Sequence, residues 1–233
     1  MLTYKVKWLG HAAFQITSGQ GTVILVDPWI TGNPMCPVKV EDIKKADLVL
    51  VTHDHFDHMG SDIPAIIRNS EATLIAQPEV AGKLRSEGVP DGNIVYGMGI
   101  NTGGSVTLKG ITVTMTQAFH SSGVGSPCGY LLTLEDGKTI YHSGDTSIFS
   151  SMQLLGEIYQ LDLALIPVGG TFTMDALQAA TALTLLKPKT VIPMHYKTFP
   201  ILVQDTAGFV RLAKEKAPQV VVKLLDPGQE ALF

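Results

Sequence analysis

Apolar and polar residues alternate with period two over residues 4–9 and 13–16, and a short apolar run fills residues 22–26. These read as three strands, because successive side chains on a strand point to opposite faces. Gly19 to Gly21 supply a hairpin turn between the second and third, His11 interrupts the first pair at a Gly-His bend, and Asp27-Pro28 ends the third. Residues 29–40, with Gly32, Pro34 and Pro37, form a loop long enough to be functional. A short helix over 41–46 leads into Leu48-Val49-Leu50-Val51, a buried strand. The pattern then predicts a helix over 61–69 with Ser61 as N-cap and Pro64 in its first turn, a strand over 72–76, a helix over 79–86 stopped by Gly88, and a strand over 93–96.

The second half repeats this alternation of styles. Residues 105–108 and 111–116 read as a hairpin around Lys109-Gly110, and 129–134 and 138–141 as another around Glu135-Asp136-Gly137. A helix over 149–159, a buried strand over 161–166, a helix over 175–186 ended by Pro188 and a strand over 190–192 follow. A helix over 205–216 and a last strand over 220–225 complete the chain. Hairpins giving way to strand-helix units in both halves suggest two mixed sheets packed face to face with helices outside. With no linker of low complexity, a single domain over 1–233 is expected.

Composition narrows the function. A net charge of -4 and a pI near 5.9 oppose nucleic-acid binding, which needs a basic footprint. No apolar run is long enough to span a bilayer, and the first ten residues carry Lys5 and Lys7 where a signal peptide would have a continuous apolar core. Cys36 and Cys128 lie far apart and read as free thiols of a reducing cytosol.

The chemistry concentrates in Thr52-His53-Asp54-His55-Phe56-Asp57-His58, directly after a buried strand. Imidazole and carboxylate together suit a divalent transition metal: zinc first, with manganese, nickel or iron also served. His53, His55, Asp57 and His58 are too crowded for one tetrahedral ion, and the two pairs point different ways. Two metals side by side are therefore expected. The plainer reading, a closed structural site, would normally use cysteine, which the loop lacks.

Further ligands must come from other strand ends. His120, Asp145 and His195 each follow a predicted strand, and a sheet edge is a rigid platform on which such groups converge. Taken singly, each is more often an ordinary loop or turn residue. Together with the loop they give His53, His55 and His120 to one metal, Asp57, His58 and His195 to the other, and Asp145 as the bridge. His142 and Asp27 read as supports for these ligands. His11 either faces the substrate, donating to a developing oxyanion, or is a buried histidine bonded to backbone. Tyr196 and Lys197, beside a ligand, either bind an anionic substrate group or form an exposed loop pair.

Thr-His-x-His-x-Asp-His followed in order by isolated His, Asp and His resembles the metallo-beta-lactamase superfamily over essentially the whole chain. Trp8-Leu9-Gly10-His11-Ala12, His142-Ser143-Gly144-Asp145-Thr146 and Pro193-Met194-His195-Tyr196 resemble its compact metal-dependent hydrolases, which are similar to the L-ascorbate-6-phosphate lactonase branch. The resemblance implies an α/β (α+β) fold, a four-layer αββα sandwich with a dinuclear site at one edge of its sheets. It also implies hydrolysis of a small ester, lactone or phosphodiester by a hydroxide held between two ions, which Asp57 orients. The expected partner is that small molecule, anionic groups included, with no nucleic acid or membrane; a homo-oligomer stays open. Three alternatives are weaker. A di-iron redox member carries Glu where this chain has His55 and needs a flavin domain. An RNA-processing nuclease needs a basic exosite or an inserted domain. A sensor that had kept only the loop would not need all seven ligands.

Overall fold

A computed structural model describes residues 3–233; the first two residues of the N-terminal stretch read as lacking a signal-peptide core lie outside the described residues. The early alternation becomes an antiparallel meander of β1 (Lys5–Trp8), β2 (Phe14–Thr17) and β3 (Val23–Val26). β4 (Leu48–Leu50) lies parallel to β3, and helix α1 (Ile63–Ser70) crosses over to β5 (Thr73–Ile75), parallel to β4. Helix α2 (Pro78–Ser86) follows.

The second sheet repeats the plan. β6 (Ser105–Leu108), β7 (Ile111–Gln117), β8 (Cys128–Thr133) and β9 (Thr139–His142) are antiparallel in succession. Helices α3 (Met152–Ile158), α4 (Ala176–Leu186) and α5 (Ala207–Lys216) then connect parallel strands β10 (Leu161–Pro167), β11 (Thr190–Met194) and β12 (Val221–Val222). A final strand, β13 (Glu230–Leu232), returns to pair with β1. The sheets have orders β13-β1-β2-β3-β4-β5 and β12-β11-β10-β9-β8-β7-β6.

The apolar runs are continuous at the centre because both faces are covered. On β3 and β4, Ile24, Val26, Leu48 and Leu50 join Tyr130, Leu132 and Ile140 between the sheets. Leu25 and Val49 point the other way and pack with Ile63, Ile67, Val80 and Leu84 of α1 and α2. Ala179, Ala180, Leu183 and Leu186 of α4 extend the inter-sheet core behind the second sheet. Each such Leu, Ile or Val contributes about 1.5–3 kcal/mol by leaving water.

Polar bonds fasten one rim of the sandwich. The Tyr130 hydroxyl donates to Val51 O at 2.7 Å, Cys128 N to Thr52 O at 3.0 Å, and His195 N to His11 O at 3.1 Å. Gly144 makes the closeness possible, since a Cβ there would lie 2.3 Å from Cys128 O.

Several elements differ from expectation. Residues 41–46 form only a single turn at Val40–Asp42. Asp47 straightens the chain beyond it by accepting the Val23 amide at 2.8 Å. α1 starts at Ile63 rather than at a Ser61 cap; the carboxylate of the preceding Asp62 accepts from Thr31 N at 2.6 Å instead of capping the helix. The strand read over 93–96 is two short turns with one bridge to Leu74, because Tyr96 takes a left-handed backbone (φ 55°). The strand over 220–225 contracts to β12, and the first helix of the second half begins only at Met152.

Candidate metal centre

The fastened rim gathers the chemistry-bearing residues. The loop after β4 carries His53, His55, Asp57 and His58, while His120 follows β7, Asp145 follows β9 and His195 follows β11. Donor atoms of His53, His55 and His120 lie within 4.8 Å of one another. The same holds for His11, Asp57, His58 and His195, and for His53, His58 and Asp145. Asp145 stands between the groups: its Oδ2 is 2.9 Å from His195 Nε2, 3.2 Å from His58 Nε2 and 3.6 Å from His120 Nε2.

The imidazoles are aimed from behind. Asp27, buried and left-handed (φ 46°) at the end of β3, accepts three bonds: from Thr52 N at 2.8 Å, Thr52 Oγ1 at 2.7 Å and His58 Nδ1 at 2.7 Å. A carboxylate only accepts, so His58 Nδ1 carries hydrogen. Thr52 spends its single hydroxyl hydrogen on Asp27, so its oxygen accepts from His53 Nδ1 at 3.0 Å. His53 Nε2 is then the bare nitrogen, facing His55 Nδ1 at 3.0 Å. His11 Nδ1 is held the same way by Thr198 Oγ1 at 2.9 Å, and Thr198 turns its hydrogen to Met35 Sδ or Tyr196 O. Three rings thus present Nε2 to a common space, the arrangement that fixes a metal-binding tautomer.

Strain and close approach complete the geometry. His11 and His195 hold left-handed backbone (φ 54° and 59°), a conformation that costs about 1–3 kcal/mol outside glycine. Two bonds to its carbonyl, from Trp8 Nε1 at 2.9 Å and His195 N at 3.1 Å, hold His11 there. Gly169 allows His195 in, because a Cβ at Gly169 would lie 1.9 Å from His195 O.

Electrostatics describe a site short of positive charge. Burial opposes ionisation of Asp27, Asp57 and Asp145, but neighbouring imidazoles hold all three carboxyls below the usual range. Burial lowers His11 to about 4 and His53 to about 3. Burial also opposes charge on His58, yet Asp145 and Asp27 outweigh it and raise its pKa. Buried Asp27 and Asp145 and half-buried Asp57 thus face imidazoles of which His58 is raised and His11 and His53 are lowered. His11 Nε2, His58 Nε2, His195 Nδ1 and Asp145 Oδ1 are buried without any hydrogen bond, although His11 Nε2 lies 3.2 Å from Asp57 Oδ2. Buried polar atoms normally find partners. Nitrogen and carboxylate donors at these spacings fit divalent cations.

The remaining expected residues fall elsewhere. Both nitrogens of His142 are occupied, Nε2 at Ala12 O (2.9 Å) and Nδ1 at Gly144 N (3.1 Å), so it braces the turn that carries Asp145. His11 is fully buried, but a side chain rather than the backbone holds its ring. Tyr196 stacks on Trp8 at 5.3 Å, and with Lys197 it lines a separate cleft near Asp226. Neither lines the cavity over the donors. Thr198 was not singled out in the sequence, because its bond to His11 spans 187 positions. Asp54 points away from the donors and ties the loop to Lys83, Ser122 and Gly123. Cys128 is buried, and burial pushes its thiol up to about 12.

A cavity of about 330 Å³ opens over the donors. Its walls are His55, Asp57, His120, Asp145 and His195, with Ser121 and the rings of Phe56 and Phe172 at the mouth. Another groove of about 270 Å³, between β7, β8 and α3, is mainly apolar and shares no lining residue with this cavity.

Comparison with known proteins agrees with the geometry. The beta-lactamase superfamily domain profile matches residues 22–196. A protein described as a UPF0173 metal-dependent hydrolase from Nitratidesulfovibrio vulgaris is 46% identical over 97% of this chain and 93% of its own. Another, from Thermococcus kodakarensis, is 45% identical over 97% of this chain and 98% of its own. The solved structure of a metallo hydrolase from Ignicoccus hospitalis superposes with a TM-score of 0.89 at 38% identity, over 99% of this chain and 98% of that one. The fold is thus the metallo-beta-lactamase αββα sandwich that the resemblance implied.

Proposed function

The chain belongs to the beta-lactamase superfamily and, within it, to the UPF0173 metal-dependent hydrolases, and we propose that it hydrolyses a small ester, lactone or phosphodiester at two divalent ions. One observation carries this reading: two sets of donors, His53/His55/His120 and His11/Asp57/His58/His195, lie on either side of Asp145. Zinc is the metal favoured by the mostly imidazole donors, with manganese, nickel and iron as the alternatives that the same donors serve. When bound, such a pair lowers the pKa of a water and draws charge from the attacked oxygen.

The protein's own groups do the rest. Asp57 lines the cavity and stays ionised at neutral pH, so it accepts the hydrogen of the attacking water and orients it. His11, fixed by Thr198, presents its bare Nε2 3.2 Å from Asp57 Oδ2, two acceptors that a shared cation would reconcile. Asp27 and Thr52 hold His53 and His58 in the metal-binding tautomer. Asp145 turns Oδ2 to both donor sets, with His195 and His58 on one side and His120 on the other, and leaves Oδ1 without a hydrogen bond. The two thiols, half-buried Cys36 and buried Cys128, suit a reducing compartment such as the cytosol. Among the described residues no helix is long and apolar enough to cross a membrane.

The test is turnover of p-nitrophenyl esters, lactones and bis(p-nitrophenyl) phosphate by metal-stripped and metal-reloaded protein. Chelation should abolish turnover, a divalent ion should restore it, and Asp57→Asn should lower kcat about 100-fold. Turnover that survives chelation, or survives Asp57→Asn at full rate, contradicts the reading.

A further inference from the structure

Phe56 and Phe172 line the mouth of the cavity and are 67% and 55% exposed. Aromatic rings kept in water around a concave site are unusual unless something apolar covers them. Phe56 is the outer member of an aromatic wall. Its ring centroid is 5.7 Å from Trp29 and 6.3 Å from Phe199, and Trp29 stacks on Phe199 at 6.0 Å. That wall rests on the donor group, since Trp29 meets His11 edge-on at 5.5 Å. Phe172 approaches from the second sheet. A tight turn delivers it: Phe172 N bonds Gly170 O at 2.6 Å, with Thr171 left-handed between them (φ 56°). Thr171 lies two residues past Gly169, whose lack of a side chain admits His195.

The charge of the lining points the same way. Among the described residues that line the cavity there is no lysine or arginine, and the fixed charges are the carboxylates Asp57 and Asp145. Lys83 is paired with Asp54, and Lys197 lines the other cleft. A phosphate or carboxylate placed away from the reacting atoms would find rings and no cation to pair with.

We infer that the substrate carries an apolar, uncharged group about the size of a ring next to the bond that breaks, held between Phe56 and Phe172. This rests on the hydrolase reading, which it deepens by naming the group beside the reacting bond. Phe56 and Phe172 are then specificity residues, while Tyr196 and Lys197 line the other cleft.

Binding of hydroxamates to the zinc-loaded protein, followed by calorimetry, tests it without relying on turnover. Benzohydroxamate should bind about tenfold or more tighter than acetohydroxamate, the gain of covering a ring. A hydroxamate with a carboxylate-bearing tail of similar length should bind no tighter than acetohydroxamate. Phe172→Ala and, separately, Phe56→Ala should each narrow the benzo-to-aceto ratio, with bound zinc measured in the same samples. A ratio unchanged in both variants, or tightest binding by the carboxylate tail, overturns the inference. Protein that shows the ring preference yet hydrolyses no ester keeps this inference and loses the hydrolase reading. Protein that hydrolyses esters with no ring preference does the reverse.

Discussion

The two sheets share a plan but use it differently. Each begins with antiparallel strands and changes to parallel ones, at β3–β4 in the first and β9–β10 in the second. At the entry to each change an aspartate clamps the preceding strand. Asp47 accepts the Val23 amide at 2.8 Å and pairs with Lys109 at 2.9 Å and Lys45 at 3.3 Å. Asp162 accepts the Thr139 amide at 2.9 Å and pairs with Lys189 at 2.8 Å and Lys138 at 3.4 Å. At the exit of each change stands another aspartate. In the first sheet it is Asp27, whose side-chain hydrogen bonds go to Thr52 and His58. In the second it is Asp145, which leaves one oxygen without any hydrogen bond and turns the other to His58, His120 and His195. Equivalent scaffold positions therefore carry an aiming group in one half and a shared donor in the other.

Predictions follow from exchanging or removing these paired aspartates. Asp145→Ala should be the most damaging: ester turnover by metal-loaded protein falls about a thousandfold, several kcal/mol of lost transition-state stabilisation. Asp27→Asn should do less, weakening metal affinity about 10–100-fold in a competition titration, because the donors remain but lose their orientation. Equal losses at the two positions would erase the distinction drawn between them. Asp47→Ala and Asp162→Ala should each cost about 1–2 kcal/mol of stability in urea unfolding, leaving metal content unchanged. The lysines at both clamps are largely exposed, so salt should weaken that contribution.

The smallest expected effect is in pH dependence. Burial opposes ionisation of Asp47 and Asp162, but the Val23 amide and Lys109 on one side and Lys189 and the Thr139 amide on the other depress both pKa values. A depressed folded-state pKa gives stabilisation that is complete above the unfolded value, about 3.9, and is lost as pH falls through the folded one. The stability gap between wild type and an Asp47→Asn/Asp162→Asn double variant should therefore shrink as pH drops below about 4. Acid unfolding curves read it directly.

Much of this was legible along the chain. Residues 52–58 announce themselves, since three imidazoles and two carboxylates crowd one short stretch of chain. Residues that follow strands were also legible, because a strand end in a sandwich has few places to go. Asp27 and His142 were read as supports, and their bonds to His58 and to Gly144 have that character. What escaped depends on how the sheets meet. His11 enters the donor group only because β1 and β11 approach at the rim, and Thr198 reaches it from the far end of the chain. Tyr196 and Lys197 adjoin His195 in sequence, yet the left-handed turn at His195 and Lys197 sends them to a different cleft. β13 has three residues, too few for alternation to declare a strand, and its pairing with β1 supplies the evidence that the sequence lacked.

Both halves of the molecule must act on one pair of ions for this account to hold. The most direct measurement is metal stoichiometry by mass spectrometry of protein stripped, reloaded with zinc and freed of excess, for the wild type and Asp145→Ala. The account predicts two ions per chain in the wild type and a clear loss in the variant; one ion or fewer in the wild type, or two retained without Asp145, would contradict it.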